Sequence, residues 1–515
     1  MNTRFDVVIV GGGTGGCAAA LAAARAGLRV LMTEEYAWIG GQLTSQAVPP
    51  DEHGWIEDFG CTASYRRFRE GVRDFYRRYY PLTRKARSTR RLNPGNGWVS
   101  PLCHEPRVGH AVLNAMLAPH EAAGRLTVLR EARATAADVE GGEVRSVTIT
   151  REGREFTVPA PWFIDATELG DLLPLTGAEF VTGAEARAET GEPSAPETAR
   201  PDNAQAFSWC FAIEHHEGRN FAGDPPRGYS CWRDYVPKLR PPWPGKLFSW
   251  VTPHPRTMQP NHYRFAPHGE ARRAFSGLWS YRRLRDRALF APGFFASDVS
   301  LVNWPQIDYL EGDLCTAAPE ERKRLLAGAR ELSLCFFHWL QTEAPREDGG
   351  QGWPGLRLAG EALGNETGLA MAPYIRESRR IRARKTVTEQ DLSAGCRSGQ
   401  KLGEAYPDSV GIGCYRIDLH PTCGGDNYLD VPALPFRIPL GALLPVRMKN
   451  LLAGAKNIGT THITNGCYRL HPVEWNIGEA AGMAAAFCRR ERIGLDELER
   501  RIEDFQKVLV EEGIE

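Results

Sequence analysis

A glycine-rich turn near the start of the chain limits what this sequence can fold into. Residues 5–10 form a short β-branched run that leads directly into Gly11-Gly12-Gly13-Thr14-Gly15-Gly16. An alanine-rich stretch and a second apolar run, residues 28–33, follow the turn. A strand, a glycine turn, a helix and a strand in this order form a βαβ unit whose helix begins where a pyrophosphate can bind, because its free N–H groups and its dipole stabilise negative charge. The pattern therefore predicts a dinucleotide-binding unit.

Three glycines of this turn have separate physical roles. Gly11 permits the tight turn, Gly13 lets the pyrophosphate approach the backbone, and Gly16 lets the helix and the strand pack closely. Glu34 falls at the expected end of the second strand, where a carboxylate can accept a hydrogen bond from a ribose hydroxyl. The neighbouring acid, Glu35, also argues against NADP, because the 2′-phosphate of NADP would favour a nearby arginine. These residues leave FAD and NAD open.

Four later segments resemble blocks of the glutathione-reductase-like FAD-binding proteins. Residues 38–44 contain a second double-glycine turn, which passes beside the flavin in that superfamily. Residues 162–167 resemble the strand that ends in Ala-Thr-Gly, although Glu168 stands in place of the glycine. Residues 450–455 resemble the strand before the final flavin contact, and residues 476–484 resemble the helix whose N-terminus faces the flavin pyrimidine. The resemblance thus decides for FAD over NAD.

Together with shorter motifs at residues 93–98, 103–107, 303–305 and 374–379, these blocks make the chain similar to the broad bacterial FAD-dependent oxidoreductase family. The resemblance implies an α/β fold. In it, a glutathione-reductase-like FAD-binding Rossmann domain, with a parallel sheet flanked by helices and discontinuous in sequence, carries an inserted α+β substrate domain. It says little about the substrate, because a fold does not define a reaction.

The residues expected to contact FAD come from the two glycine turns, the strand ends and the C-terminal blocks. They are Gly11, Gly13, Thr14, Gly15, Gly16, Glu34, Glu35, Gly40, Gly41, Gln42, Leu43, Ala134, Ala166, Thr167, Gly454, Asn476 and Ile477. Covalent attachment would need a histidine or cysteine at the edge of the flavin ring. Residues 40–43 contain neither, so we predict non-covalent FAD.

The composition changes along the chain predict three segments. Residues 1–175 form the FAD-binding domain with an inserted basic segment at 47–107, and residues 176–435, rich in Pro and Trp, form the substrate domain. Residues 436–515 return to the FAD-binding domain and add C-terminal helices. Helices are expected at 108–118, 319–342 and 495–509, and strands at 126–135, 143–150 and 204–214. The sequence contains no second strand followed by a G-x-G-x-x-G motif, so an NAD(P)H-binding domain within this chain is not expected.

Charge and cysteine usage narrow the class of partner. The 63 basic and 63 acidic residues balance, so no global field attracts nucleic acid or an anionic membrane. No apolar run reaches the roughly 18 residues of a membrane span, and no signal peptide is visible, so we expect a cytoplasmic protein. None of the 12 cysteines stands in a Cys-x-x-Cys pair, and we predict no metal site.

A local basic segment, residues 66–91, interrupts this balance with basic side chains interleaved with aromatic rings. It could bind RNA by stacking, form an electropositive wall for an anionic substrate or partner subunit, or be a helix whose rings pack inward while its charges are solvated. The packing interpretation is favoured because the rest of the chain carries the compensating negative charge.

The expected chemistry has two requirements near the flavin ring. One is a group that takes a proton, and the other is positive electrostatic potential. A helix expected to start at residues 475–476 would supply its dipole there. Just before it, His471 or His462 is predicted as the acid/base group, and Arg469 as the group that stabilises anionic flavin or a substrate oxygen. Two further polar clusters remain candidates: His104, Glu105 and Arg107, and Tyr415 and His420.

The leading hypothesis is hydride transfer between a small organic substrate and non-covalent FAD, with reoxidation by oxygen, a quinone or another acceptor. The alternatives are a flavin-dependent monooxygenase or halogenase, a tRNA-modifying flavoprotein that uses residues 66–91, and a nonredox nucleotide-binding scaffold. The sequence predicts neither the substrate, the electron acceptor nor the oligomeric state. Membrane and nucleic-acid partners are not expected.

Overall fold

The computed structural model of the protein describes residues 5–269 and 277–514. Its helices are α1 (Thr14–Arg25), α2 (Ala63–Tyr79), α3 (Arg84–Ser88), α4 (Pro106–Ala122), α5 (Leu172–Thr176), α6 (Arg187–Thr190), α7 (Tyr229–Asp234), α8 (Leu278–Tyr281), α9 (Pro319–Thr342), α10 (Gly360–Leu363), α11 (His462–Tyr468), α12 (His471–Glu491), α13 (Leu495–Arg500) and α14 (Ile502–Glu511). Among the residues described, no helix combines the length and the apolar character needed to cross a membrane.

The strands follow one another along the chain between these helices. They are β1 (Val7–Val10), β2 (Val30–Glu34), β3 (Leu126–Arg130), β4 (Ala132–Glu140), β5 (Glu143–Arg151), β6 (Arg154–Pro159), β7 (Trp162–Asp165), β8 (Phe180–Val181), β9 (Phe207–Ser208), β10 (Phe211–His215), β11 (Val251–Pro253), β12 (Pro260–His262), β13 (Arg283–Arg285), β14 (Val299–Val302), β15 (Asp308–Tyr309), β16 (Leu356–Leu358), β17 (Arg380–Ile381), β18 (Ser409–Gly413), β19 (Ile417–Leu419), β20 (Leu429–Val431), β21 (Phe436–Pro439) and β22 (Leu451–Ala453).

A five-stranded parallel sheet carries the glycine-rich turn. Its strand order is β22-β7-β1-β2-β3, and every neighbouring pair runs parallel. The β1 side chains are buried, as in a strand covered on both faces. Helix α1 packs against α12 so closely that a Cβ on Gly478 would lie 2.0 Å from the Gly15 carbonyl oxygen. The sheet draws strands from both ends of the chain, and the predicted α/β fold is confirmed.

Several predicted elements are divided in the structure. The expected strand 126–135 is two strands, because Glu131 has φ +54° and turns the chain out of the parallel sheet. Strand β4 pairs instead with β5 and β6 in an antiparallel sheet. The expected strand 204–214 is likewise two short strands, and the tail 495–509 is two helices that break at Arg501, whose ψ of 30° is not helical.

Helix α12 begins four residues earlier than the sequence analysis expects. Helix α12 starts at His471, with Pro472 in its first turn. A proline fits there, because the N–H that it lacks would have no partner inside the helix. The prediction of a start at residues 475–476 is therefore wrong, and Glu474 rather than Asn476 lies in the first turn.

A second hydrophobic core lies around the antiparallel sheet β13-β14-β10-β16. It includes one side of the long helix α9, with Leu325, Leu332 and Phe336 buried among side chains of the sheet such as Ile213 and Leu301. The predicted domain boundaries at residues 175 and 435 stay predictions.

The inserted basic segment is partly internal. Three of its rings, those of Tyr65, Phe68 and Tyr76 on α2, are buried. Arg69 is also buried and pairs with Glu52 at 2.9 Å and with Glu57 at 2.6 Å. These rings are turned inward, as the packing interpretation expects, and are not free to stack on bases. The buried charge of Arg69 differs from that interpretation, which places the charges in solvent.

Candidate functional site

The carboxyl ends of β1, β2 and β7 open onto a crevice of about 350 Å³ beside the start of α1. Ligands of open parallel sheets bind at such an edge. Residues from both strands and turns line it, among them the predicted Gly11, Gly13, Glu34, Glu35, Ala134, Ala166 and Thr167. Gly11 has φ +100°, and a Cβ there would lie 2.3 Å from the Ala166 carbonyl oxygen, so this position requires glycine.

The two glycine turns contact each other beside this crevice. Thr14 donates its hydroxyl to the carbonyl oxygen of Gly40 at 3.0 Å. A Cβ built on Gly13 or on Gly41 would have Glu168 Oε1 as its nearest atom, at 2.8 and 2.7 Å respectively. The carboxylate of Glu168 therefore lies between the two turns, and its buried Oε1 has no hydrogen-bond partner among the residues that the structure describes.

A second carboxylate lies at the start of α1. The Gly15 N–H donates to Glu474 Oε1 at 3.4 Å. A pyrophosphate needs glycine turns that let it approach the backbone, and a helix N-terminus whose N–H groups donate to its oxygens. Both features are present here. The residues present therefore fit the pyrophosphate of FAD, with the two carboxylates at the place where its oxygens would bind.

Lys456 is buried between these two acids. It forms an ion pair with Glu168, and its Nζ is 3.8 Å from Glu474 Oε2. Burial raises the pKa of Glu474 to about 7, with Lys456 acting in the opposite direction. Gln42, predicted from the second glycine turn, donates to Glu474 and to the carbonyl oxygen of Arg469 at 2.9 Å.

Sequence reasoning missed both Lys456 and Glu474. Lys456 follows the predicted Gly454 by two residues, and Glu474 precedes the predicted Asn476 by two. The start signal His471-Pro472 would have placed Glu474 in the first turn of the helix, where an acidic side chain is common.

Glu34 lies where the sequence analysis places it, at the end of β2 and on the crevice wall. Its Oε1 accepts a hydrogen bond from the Tyr36 N–H at 2.9 Å. Burial raises the pKa of Glu34 to about 8 and also raises the pKa of Glu35. Both acids line the crevice.

The remaining predicted cofactor residues serve packing around the crevice. A Cβ on Gly16 would lie 1.9 Å from the Gly11 carbonyl oxygen, and a Cβ on Gly15 would lie 2.1 Å from that of Gly454. Leu43 is buried in the core.

Asn476 and Ile477 lie away from the crevice. Asn476 Oδ1 accepts from the Ile412 N–H at 3.0 Å, which ties α12 to β18, and Ile477 belongs to the core. Neither lines the crevice. The first turn of α12 instead places Glu474 against the Gly15 N–H at the start of α1.

A second cavity, of about 240 Å³, lies across a shared wall from the crevice. Residues alternate along this wall: Ala372, Pro373 and Ile375 line the crevice, while Tyr374 and Arg376 line the second cavity. The two spaces are therefore separated by a single extended segment.

Charged and aromatic side chains from distant parts of the chain meet in this second cavity. Those lining it include Asp51, Tyr281, Arg282, Trp304, Tyr415, Arg416, Asp418, His420, Tyr428 and Arg469. The structure thus brings together the predicted Arg469, Tyr415 and His420. Asp51, Arg282 and Arg376 were not singled out as site residues by the sequence analysis.

His420 is oriented by an acid at the cavity wall. Its Nδ1 is 2.6 Å from Asp308 Oδ2. Asp308 is buried, yet Arg376 and His420 lower its pKa, so the carboxyl group is ionised. It accepts a hydrogen bond from the Nδ1–H of His420. Burial and Arg376 lower the pKa of His420, so the imidazole is neutral near pH 7 and its Nε2 is unprotonated.

The two histidines predicted as acid/base groups line neither cavity. His471 Nδ1 accepts from the Asp51 N–H at 3.0 Å, and burial lowers the pKa of His471 to about 3. His462 Nδ1 is 2.8 Å from Glu377. Burial opposes protonation of His462, but the Glu377 carboxylate raises its pKa overall.

The His104 cluster is a separate buried network. Burial lowers the pKa of His104 to about 4, and its Nδ1 contacts the Glu105 carbonyl oxygen at 3.0 Å. Glu105 pairs with Arg285 at 3.2 Å, while Arg107 donates to the Glu361 carbonyl oxygen. None of the three predicted residues lines the crevice or the second cavity.

These features define the class of protein: an α/β dinucleotide-binding protein whose crevice fits a flavin dinucleotide and adjoins a polar cavity. The family model described as FAD dependent oxidoreductase matches residues 6–509. The chain belongs to this family, as the sequence resemblance predicts. It is an oxidoreductase, and FAD is its cofactor.

Solved structures show only slight likeness to this chain. L-proline dehydrogenase from P. horikoshii is 16% identical over 35% of this chain and 24% of its own, with a TM-score of 0.18. Thioredoxin reductase from Lactococcus lactis is 18% identical over 36% of this chain and 41% of its own, at 0.17. The p-nitrophenol 4-monooxygenase PnpA from Pseudomonas putida DLL-E4 is 14% identical over 75% of this chain and 70% of its own, at 0.30.

Likenesses this slight carry no argument about the reaction. The chain spans about a quarter of the length of the proline dehydrogenase. No curated protein matches the chain.

Proposed function

We propose that the protein transfers hydride between a small organic substrate in the second cavity and non-covalently bound FAD in the crevice. The observation that carries this proposal is the shared wall at residues 372–376, with the crevice on one side and the cavity containing His420 and Arg469 on the other. When bound, FAD supplies a two-electron acceptor. An acceptor such as oxygen, a quinone or another carrier then removes the electrons.

His420 takes the substrate proton in this proposal. Oxidation of an alcohol or amine carbon releases a hydride from carbon and a proton from the attached oxygen or nitrogen, and a double bond forms between the two atoms. The proton goes to His420 Nε2, because Nδ1–H is already donated to Asp308. Asp308 then stabilises the imidazolium by its charge.

His471 does not act as a base in this proposal. Its Nδ1 accepts from the Asp51 N–H, so the Nδ1 lone pair is occupied and the proton is on Nε2. Arg469 lines the substrate cavity, while Gln42 holds its backbone oxygen beside the second glycine turn. Arg469 is therefore assigned to charge stabilisation, and the acid/base role moves from His471 and His462 to His420.

FAD binding displaces a carboxylate in this proposal. Glu168 would have to leave the place between Gly13 and Gly41 for the pyrophosphate to bind there, since two anionic groups cannot share it. Lys456, the partner of Glu168, would then be available to the phosphate oxygens. Backbone N–H groups, this lysine and the acids at the end of β2 are the groups that would hold FAD.

Isolation of the protein and a screen for its electron donor test the function. We expect a yellow protein that releases FAD on acid precipitation; colour retained in the precipitate would contradict non-covalent binding. An anaerobic screen of metabolites should find one that bleaches the flavin band. If dithionite reduces the flavin but no metabolite does, the nonredox scaffold is favoured.

His420→Gln provides the sharper test. It should slow flavin reduction by the identified donor at least about 100-fold, the usual size of a general-base effect, while FAD content is unchanged. His262→Gln, at an exposed position in β12, is the matched control. Equal rates of flavin reduction in both variants would show that His420 takes no part in the chemistry. Incorporation of oxygen from labelled O2 into the product would show a monooxygenase instead of the proposed hydride transfer.

A further inference from the structure

Arg469 is a buried cation whose ion pair with Asp418 is loose. Its Nη1 donates to the Tyr374 hydroxyl at 3.1 Å and its Nη2 to the Asp418 carbonyl oxygen at 3.0 Å. The carboxylate of Asp418 is 3.7 Å away, beyond a hydrogen bond. A buried guanidinium paired so loosely is costly unless an anion completes its environment. Arg469 is therefore a candidate for binding an anionic group of the substrate.

Arg282 faces the same cavity and is also weakly paired. Its Nη1 and Nη2 atoms lie 3.2 and 3.5 Å from the two oxygens of Asp51, and its buried Nε has no partner among the described residues. Asp308 pairs with Arg376 at 3.1 Å. Like Arg282, Arg469 has a buried Nε without a partner among the described residues.

The described residues that line the cavity have a surplus of hydrogen-bond donors. Buried donor atoms without a partner occur on Arg282, Trp304, Arg376, Arg416, Tyr428 and Arg469. None of the carboxylates lining the cavity, those of Asp51, Asp418 and Asp430, has a buried oxygen without a partner. A ligand that satisfies this cavity must supply acceptor oxygens.

We propose that the substrate carries a carboxylate, which Arg282 and Arg469 bind at the inner end of the second cavity. This inference rests on the proposed function, because it assigns the substrate class of that same cavity. The fork of a guanidinium matches the two oxygens of a carboxylate and binds it more strongly than it binds a neutral amide. A cavity of about 240 Å³ is smaller than a typical drug-sized site, so the acid is a small one.

The test measures binding to the FAD-loaded protein by calorimetry, without any turnover. The probes are two matched pairs, benzoate with benzamide and succinate with succinamide, and inorganic phosphate. We expect the acid of at least one pair to bind ten-fold or more tightly than its amide, and more tightly than phosphate. Equal binding within both pairs, no binding of either acid, or a preference for phosphate would overturn the proposal.

Two variants locate the binding group. Arg469→Lys keeps the charge but loses the fork, and Arg282→Gln combined with Asp51→Asn removes both members of the buried pair, so that neither is left uncompensated. Each should lower the preference for acid over amide by ten-fold or more, whereas Arg324→Gln, an exposed arginine on α9, should leave it unchanged. An acid preference retained in both cavity variants would overturn the assignment.

This design separates the two proposals. Selective acid binding in a protein whose flavin no metabolite reduces would contradict the proposed function alone. Reduction by neutral donors, with no preference for acids, would contradict the carboxylate inference alone.

Discussion

The substitution Gly13→Ala should abolish FAD binding while leaving the ligand-free fold intact. Gly13 precedes α1 with φ −65° and ψ −165°, a backbone conformation that alanine adopts without strain. The added Cβ would lie 2.8 Å from Glu168 Oε1, the far end of a flexible side chain, and its next neighbour is at 3.8 Å. Glu168 can move by the required amount, so the free energy of unfolding without FAD should change by no more than about 1 kcal/mol.

The FAD complex should respond very differently to the same methyl group. The pyrophosphate must approach the backbone at Gly13, and a methyl there occupies its place. We expect the FAD dissociation constant to rise at least about 100-fold, or about 2.7 kcal/mol. Titration of the ligand-free protein with FAD and thermal unfolding with and without FAD measure the two effects. Added FAD at 100 times its wild-type dissociation constant should stabilise the wild type by about 2.7 kcal/mol, and most of this gain should be lost in the variant.

Two matched variants make the result decisive. Gly16→Ala places a Cβ 1.9 Å from the backbone oxygen of Gly11, which cannot move aside, so it should destabilise the ligand-free protein as well. Gly223→Ala meets nothing within 4 Å and should change neither quantity. FAD binding by Gly13→Ala within three-fold of the wild type would refute the placement of the pyrophosphate.

Three further predictions concern single side chains. Arg469→Ala should slow flavin reduction by the identified donor at least about ten-fold in stopped-flow measurements, with FAD affinity changed less than three-fold, because Arg469 contacts Tyr374 in the substrate cavity; unchanged reduction would remove it from the mechanism. Glu168→Ala should tighten FAD binding several-fold in titrations, since the carboxylate paired with Lys456 no longer has to be displaced; weaker binding would contradict this. Burial raises the pKa of Glu34 from 4.5 to about 8, so the free energy of unfolding of the ligand-free protein should fall as pH rises between these values. From pH 6.5 to 8 the loss is about 2 kcal/mol, and denaturant titrations should show that Glu34→Gln removes it.

The sequence predicts those parts of the fold and site whose physical cause is local. The turn at Gly11 and the acid at Glu34 belong to one βαβ unit, and the glycine spacing, the apolar runs and the terminal carboxylate all lie within that unit. The start of α12 at His471 was also locally encoded, because Pro472 marks a first helical turn. The resemblance to a flavin-facing helix begins only at Asn476 and does not include this proline.

The rest of the site depends on pairs that are far apart in the sequence. Lys456 meets Glu168 across 288 positions, and His420 meets Asp308 across 112. Local patterns do not specify which of many charged residues will meet at such separations, and burial decides their ionisation only after the chain has folded.

The assignment of the acid/base group shows how this limits sequence reasoning. Their position between two flavin-binding blocks predicts that His462 and His471 lie near the flavin ring. However, both rings are held in buried hydrogen bonds, His462 to Glu377 and His471 to the backbone of Asp51, and neither lines a cavity. His420 lines the second cavity because β19, which ends at Leu419, places it beside Asp308 of β15. The position of a histidine along the chain does not indicate which distant partner it will meet, and the proposal of His420 as the proton acceptor therefore rests on its contact with Asp308.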